Sequence, residues 1–180
     1  MFEKDGPTFI ELADQALSST DVGYEKLATK FDKTPFRTPD VVLDPVGAFL
    51  RRGVPIGSAI DFCTGTGAGL EMLRPLVTEQ LVGIDRVTPM LDQAKENLNA
   101  GSKNVPIEYW QGDVLSHPFE PVFDLVVSFG AFGHILAADE STLVRQIYRA
   151  LKPGGRFVFV TGYLPKPWHP VVWLARGFNG

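Results

Sequence analysis

Ser58-Ala59-Ile60-Asp61-Phe62-Cys63-Thr64-Gly65-Thr66-Gly67-Ala68-Gly69 reads as the end of a strand, a glycine-rich turn and the start of a helix. A short apolar run closes on a carboxylate, and Leu70, Leu73 and Leu76 then recur at helical spacing. Gly65 and Gly67 can take positive φ and carry no Cβ, so a ligand can lie directly against their backbone. Amides at the start of the following helix point into the same space. The spacing separates two kinds of cofactor loop. A dinucleotide fingerprint reads G-x-G-x-x-G, whereas this loop reads Gly65-x-Gly67-x-Gly69 with Asp61 four residues ahead. No Lys-Ser or Lys-Thr follows, which excludes a P-loop.

Downstream, strands and helices alternate. Gln80–Asp85 is a second strand ending in a carboxylate, and Thr88-Pro89 opens a helix with Leu91, Ala94 and Leu98 on one face and Gly101 at its end. Val105–Trp110 reads as a third strand, closed by Gln111-Gly112-Asp113-Val114. Phe123–Phe129 is a fourth, apolar on both faces as a central parallel strand requires. A helix over about 139–151 sets Leu143, Val144, Ile147 and Leu151 on the sheet. Lys152-Pro153-Gly154-Gly155 then turns the chain into a fifth strand, Arg156–Thr161. Upstream, Thr38-Pro39 starts a helix to Arg52 that carries Val42, Val46, Phe49 and Leu50 inward, with Pro45 as a candidate kink. The alternation predicts an α/β fold, doubly wound, with a mostly parallel sheet and helices on both faces.

Ligands of such sheets bind beyond the carboxyl ends of the strands, near the reversal of strand order. Asp85, eighteen residues past Gly67, offers only acceptor oxygens and suits the paired hydroxyls of a ribose. Arg86 beside it keeps a 2′-phosphate cofactor open, against the glycine spacing. Asp113 can accept an exocyclic adenine amine while the next amide meets a ring nitrogen; taken singly it serves equally well as a helix cap. In this order the motifs resemble the class I S-adenosylmethionine-dependent methyltransferases over about residues 40–162. Asp61 with Gly65 and Gly67 matches motif I, Ile84-Asp85 the ribose carboxylate, Gly112-Asp113-Val114 the adenine motif, and Leu151–Arg156 the turn into strand five.

The resemblance implies a Rossmann-like fold, S-adenosylmethionine as cofactor, S-adenosylhomocysteine as product, and methyl transfer; a small-molecule acceptor is expected by elimination of nucleic acid, given the loop after strand four. It implies that Gly65, Thr66 and Gly67 line the methionine portion and that Thr64 and Ser128 join the cofactor contacts. Residues 1–37 correspond to a helical leader that closes over the cofactor in many family members, or to a packed arm. Phe9, Ile10, Leu12, Ala13 and Leu17 suggest one short helix in it, and Tyr24, Leu27, Ala28 and Phe31 a second. Arg37, between two prolines, is a candidate partner for the cofactor's carboxylate. Asp124, at the start of strand four, suits a backbone-capping role.

His134 lies in the loop after strand four and is the candidate general base; its alternative is a histidine packed beside the cofactor. Phe129 and Phe132 are candidate apolar walls. That loop has no acidic-or-Asn-Pro-Pro-aromatic segment and the chain no Pro-Cys nucleophile, so nucleic acid is not the expected acceptor. The family's terminal antiparallel strand pair has no counterpart after strand five. Either the sheet is minimal or, the favoured expectation, the chain is a fragment whose missing end would cover a sheet edge and shape the acceptor pocket. Residues 163–180 then read as a truncated tail, and the 180 residues as one domain with a core over 38–162. A net charge of −4 argues against non-specific nucleic-acid binding. One cysteine excludes an internal disulfide, and no Cys/His cluster suggests a metal. No signal core or transmembrane-length run is present, so a cytoplasmic location is expected. Two other classes compete: a non-catalytic cofactor-binding or scaffold protein of the same fold, and a nicotinamide-dependent oxidoreductase, which the glycine spacing disfavours.

Overall fold

The computed structural model describes residues 6–8, 10–11, 14, 17–18, 20–34, 36–99, 105–130, 132 and 135–160. A leader helix, α1 (Thr20–Leu27), runs into a 3-10 helix over Ala28–Lys33. Then follow α2 (Asp40–Arg51), β1 (Ile56–Phe62), α3 (Ala68–Leu73), β2 (Val77–Asp85), α4 (Thr88–Leu98), β3 (Ile107–Gln111), β4 (Phe123–Phe129), α5 (Glu140–Ala150) and β5 (Leu151–Val160). The strands of the described residues form one sheet in the order β3-β2-β1-β4-β5, and every neighbouring pair is parallel. This is the expected Rossmann-like α/β architecture. The chain builds outward from β1 to β3, then returns to add β4 on the other side of β1, so the crevice opens beyond the carboxyl ends of β1 and β4.

Strand alternation divides the core into two layers. Ile60, Phe62, Val82, Ile84 and Val126 face one side, where Leu143, Ile147 and Ala150 of α5 pack. Ala59, Leu81, Leu125 and Val127 face the other and meet Leu50 of α2 with Leu70 and Leu73 of α3. Both faces are covered, which is why β1, β2 and β4 tolerate runs of fully buried apolar residues.

Several details depart from expectation. Helix α2 is rotated relative to the predicted face: Leu43, Gly47 and Leu50 point inward and Phe49 is 68% exposed. Gly47 sits where a Cβ would come within 3.2 Å of Met72, so α2 and α3 approach closely there. Pro45 lies within the helix without ending it, and Pro39 is the cap rather than the first turn. On α5 the position on the sheet is filled by Gln146, which donates to His117 O at 2.9 Å, while Val144 is 57% exposed. Leu151 already belongs to β5. The Lys152–Gly155 stretch is an irregularity within that strand, between the pairs Phe123↔Leu151 and Leu125↔Arg156, with Gly154 at φ +82°. Gly101 and the tail 163–180 lie outside the described residues. Among the described residues no helix is long and apolar enough to cross a membrane.

The amino ends of β1, β4 and β5 are fastened by Asp124. Its Oδ2 accepts the Ser58 amide at 2.8 Å and lies 3.0 Å from Ser58 Oγ; its Oδ1 meets Lys152 Nζ at 3.0 Å. Burial opposes ionisation, but the Lys152 and Ser58 donors outweigh it and hold this carboxyl below its ordinary range. A lowered native pKa contributes stability above the unfolded value of 3.8, lost as the pH falls through the native value. Asp124→Ala is expected to cost about 1–2 kcal/mol in urea denaturation at pH 7, allowing for the pair's partial exposure. The difference from the parent should shrink at pH 3.

Candidate functional site

A cavity of about 480 Å³ opens beyond the carboxyl ends of the strands. Each wall comes from one strand-end loop. Asp61 near the end of β1 and Cys63, Thr64, Gly65 and Thr66 after it form one; Asp85 ends β2 and Arg86 follows it; Gly112, Asp113 and Val114 follow β3; Phe129 ends β4 and Gly130 follows it. The leader supplies Tyr24, Phe31, Phe36, Arg37 and Thr38, and Ile135, Leu136 and Asp139 close the far side.

The glycine loop takes its shape from positive φ at alternate residues: Cys63 at +57°, Gly65 at +55° and Gly67 at +91°. This conformation is strained for cysteine and easy for the glycines. Thr64 donates its amide to Ile84 O at 3.0 Å and its hydroxyl to Asp61 Oδ2 at 2.8 Å. The Gly65 amide donates to Asp85 Oδ2 at 2.8 Å, and Asp85 Oδ1 accepts the Val87 amide at 3.0 Å. Asp85 therefore shapes the loop besides presenting a carboxylate to the cavity. Asp113 Oδ1 accepts the Leu115 amide at 2.9 Å and so caps the turn after β3, while Asp113 still lines the cavity. Arg86 reaches Asp113 at 3.7 Å.

Asp61 is 2% exposed, and its Oδ1 is buried without a hydrogen-bond partner. Burial is the main force raising its pKa; the Thr64 hydroxyl counteracts it and the Asp85 charge adds to it, leaving a value of about 7. Burial, then the charges of Asp85, Asp61 and Asp113, push the Cys63 thiol up, so it stays protonated and unreactive at neutral pH. Tyr24 is likewise raised to about 12 by burial and by Asp85, and keeps its proton.

Of the predicted site residues, the structure brings Arg37, Asp61, Thr64, Gly65, Thr66, Asp85, Arg86, Gly112, Asp113 and Val114 to this one cavity. Gly67 is not in its lining. Its missing Cβ would point to α4, 2.9 Å from Leu98 Cδ1 and 3.2 Å from Ala94 Cβ, so a side chain here would meet that helix; Gly67 lines instead a smaller neighbouring cavity with Asp32, Thr66 and Asn97. Ser128 also lies elsewhere. Strand alternation turns it to the α5 side, buried, with its hydroxyl donating to Phe62 O at 3.2 Å. Arg37 lines the cavity but is engaged by Asp40 at 2.8 Å, with Asp32 at 3.8 Å. Phe129 forms a wall as expected, whereas Phe132 packs on Phe159 and Phe157 of β5, ring centres 5.1 and 6.3 Å away. His134 lies outside the described residues.

Two functional residues are not evident from the sequence. Gly69 is the place on α3 where the Asp61 carboxylate and Phe129 come closest, and any Cβ there would collide with both. Its place as the third glycine of the loop is a signal, but one that reads as ligand clearance. Asp32 of the leader accepts the Thr66 hydroxyl, a contact across 34 residues that no local pattern announces. Among the described residues no group of His, Cys, Asp and Glu is arranged to hold a metal ion.

Fold and site together define a Rossmann-like α/β protein with a nucleotide-type cavity at its switch point. Sequence comparison assigns the family: residues 60–159, more than half of the chain, match the methyltransferase domain, and the chain belongs to that family. The demethylmenaquinone methyltransferase of Lactococcus lactis is 36% identical over 105 residues, which are 57% of this chain and 41% of that protein. The carboxy-S-adenosyl-L-methionine synthase of Actinobacillus succinogenes is 28% identical over 123 residues, 65% of this chain and 50% of that one. The chain thus spans about half the length, or less, of these curated relatives. Among solved structures, the N-methyltransferase NodS of Bradyrhizobium japonicum in complex with S-adenosyl-L-homocysteine superposes with a TM-score of 0.65 at 20% identity, covering 79% of this chain and 72% of that one. DhpI, in its SAM–HEP complex, gives 0.65 at 20% identity over 89% and 70%. At this identity the two structures bear on the fold alone.

The orientation of Gly67 is open to a direct test. Gly67→Ala forces a methyl group into Leu98 and Ala94 at a positive φ, and is expected to cost about 1–3 kcal/mol of stability in urea denaturation without any ligand present. An unchanged midpoint would mean that this glycine does not face α4.

Proposed function

We propose that the chain binds S-adenosylmethionine in this cavity and transfers its methyl group to a small-molecule acceptor. The observation that carries the reading is the convergence of the glycine loop, Asp85 and Gly112-Asp113-Val114 on one cavity at the switch point, the three strand-end segments that a nucleoside-bearing cofactor requires. The family to which the chain belongs supports it.

The residues fit the group. About 480 Å³ accommodates a ligand of this size. Asp85 offers acceptor oxygens for ribose hydroxyls, and Asp113 and Val114 flank the place for the adenine. Asp61, buried with an unpartnered oxygen and a pKa of about 7, calls for a ligand cation such as the α-ammonium of the methionine portion. When bound, the cofactor supplies an already activated methyl group. The protein's share is then alignment, exclusion of water and, for an acceptor that carries a proton, a base. Tyr24, Phe31, Phe36, Phe129 and Ile135 supply apolar wall for that exclusion. For the base we retain His134 on its sequence position. A small acceptor accords with the names of the curated relatives, which concern demethylmenaquinone and a carboxylated S-adenosylmethionine.

Calorimetric titration with S-adenosylhomocysteine tests the cofactor, and radiolabel transfer from S-adenosylmethionine to an acceptor panel tests the reaction. Binding without transfer to any acceptor returns the chain to a non-catalytic cofactor-binding role. Asp85→Ala is expected to weaken binding by about 1–3 kcal/mol, through the ribose and through the released Gly65 amide.

The pH dependence separates Asp61 from the rest. In the unliganded protein its raised pKa means stability that is present below 3.8 and lost as the pH rises through about 7. An ammonium ligand prefers the ionised carboxylate, so affinity should climb up to about pH 7. It should fall again above about pH 8, where α-amino groups lose their proton. Asp61→Asn should remove the acid limb alone. For His134, His134→Ala should leave S-adenosylhomocysteine affinity intact and lower turnover about 10²–10⁴-fold; weaker binding with the pH–rate profile retained would return His134 to a packing role.

A further inference from the structure

Asp32 stands outside the main cavity, yet it connects three parts of the chain that are remote in sequence. It sits in the 3-10 helix of the leader between two cavity-lining residues, Phe31 and Arg37. Its Oδ1 accepts the hydroxyl of Thr66, and its Oδ2 accepts Asn97 Nδ2 at 2.8 Å. The same Asn97 nitrogen donates to Thr66 O at 3.1 Å, so Thr66 is held at both its hydroxyl and its carbonyl. Arg37 Nε lies 3.8 Å from Asp32 Oδ1 and keeps a positive charge beside it. Thr66 is 3% exposed, the most deeply enclosed polar residue of the loop tip, and stands between the two positive-φ glycines. Next to this polar ring, Ala28, Phe31, Val87 and Met90 form a separate small apolar cluster, which seats the leader on the start of α4.

We infer that Asp32 is a positioning residue: it latches the leader to the tip of the glycine loop, so that the loop is held in its ligand-ready shape only while the leader is seated over the cavity. Thr64 and Gly65 are tied to Asp61 and Asp85, carboxylates of the strands, and need no leader. Thr66 is tied to the leader through its hydroxyl, and its carbonyl is held by Asn97 of α4, whose amide Asp32 in turn anchors. A loop with positive φ at Cys63, Gly65 and Gly67 has neighbouring conformations to relax into once that tie is cut. A leader without it keeps the small apolar cluster and the long Arg37–Glu71 pair as holds on the core, since its other ion pairs, Lys26–Asp14 and Lys30–Glu11, lie within the leader itself. Loop order and leader seating are thereby one equilibrium, and a ligand beneath the leader leaves at a rate set by breaking this contact.

Hydrogen exchange on the unliganded chain reads the latch without reference to any cofactor. Asp32→Ala is expected to speed exchange of the Gly67 amide, which closes the turn around Thr66 on Thr64 O, and of residues 20–34 together with it, by about tenfold or more, with the strand amides of β1 and β4 unaffected. Thr66→Val should reproduce the effect, and the double variant should show no more than either single one. Asp32→Asn, which keeps an oxygen to accept the Thr66 hydroxyl, should restore most of the protection. Unchanged loop exchange in Asp32→Ala, or additive effects in the double variant, overturns the inference. The functional consequence rests on the proposed cofactor: Asp32→Ala should bind S-adenosylhomocysteine roughly 5–30-fold more weakly, through faster release. A parent chain that does not bind S-adenosylhomocysteine defeats the cofactor reading, and the exchange data alone then decide on the latch.

Discussion

Three consecutive residues of the glycine loop donate to three aspartates from different parts of the chain: Thr64 to Asp61, Gly65 to Asp85, and Thr66 to Asp32. Three further bonds, Thr64 N to Ile84 O, Gly67 N to Thr64 O and Asn97 Nδ2 to Thr66 O, complete its fastening. Positive φ at every second residue curls its backbone so that amides turn inward, a geometry that favours an acceptor at its centre. Here the Asp85 carboxylate takes up one of those amides. Because each aspartate sits at the end of a separate element, the loop reports the relative placement of β1, β2 and the leader, and the cavity exists only when all three are in register.

The same arrangement loads the site with negative charge. Asp61, Asp85, Asp113 and Asp139 line the cavity, against Arg37 and Arg86. Those guanidinium groups are already spent in part on carboxylates, Arg37 on Asp40 and Arg86 on Asp113. Asp61 is the most buried of the four, and burial, with a smaller contribution from the Asp85 charge, displaces its ionisation towards neutrality. Buried carboxylates of this kind are tolerated when a ligand completes their bonding. Gly69 sharpens the point, since α3 approaches so closely that no side chain can be placed between it and Asp61.

Much of this is legible in the amino-acid sequence itself. The apolar run Phe123–Phe129 coincides with β4 residue for residue, because a strand buried on both faces and bounded by polar turns leaves few alternatives. The order of motifs brings nine of the predicted residues to one cavity, since each is anchored to a strand end and the parallel topology carries all strand ends to one edge, while Arg37 reaches it from the leader. Orientation is less legible. Phe49 and Val144 satisfy helical spacing as well as their buried neighbours do, and only the close contact of Gly47 with Met72 and the burial of Gln146 settle which side turns inward. Gly67 and Ser128 lie within cofactor motifs but point away from the cavity. One faces α4 and the other α5, because neighbouring residues in a loop or strand look in opposite directions.

Least legible is the leader, and the reason is physical. A parallel sheet offers a ligand a floor and side walls at its carboxyl edge but no roof, and what covers that edge must come from chain outside the alternating core. Such a segment carries no periodic signature of its function, since its helix needs only enough apolar surface to dock. Here the docking surface is the small cluster of Ala28 and Phe31 on Val87 and Met90, with Tyr24 against it. What makes the segment specific to this site is a single carboxylate that reaches a threonine of the loop. A sequence pattern cannot reveal that contact, because any aspartate in a short polar helix reads as solvated. Closure of the cavity therefore depends on a non-local hydrogen bond between the least regular segment of the core and the segment furthest from it in kind.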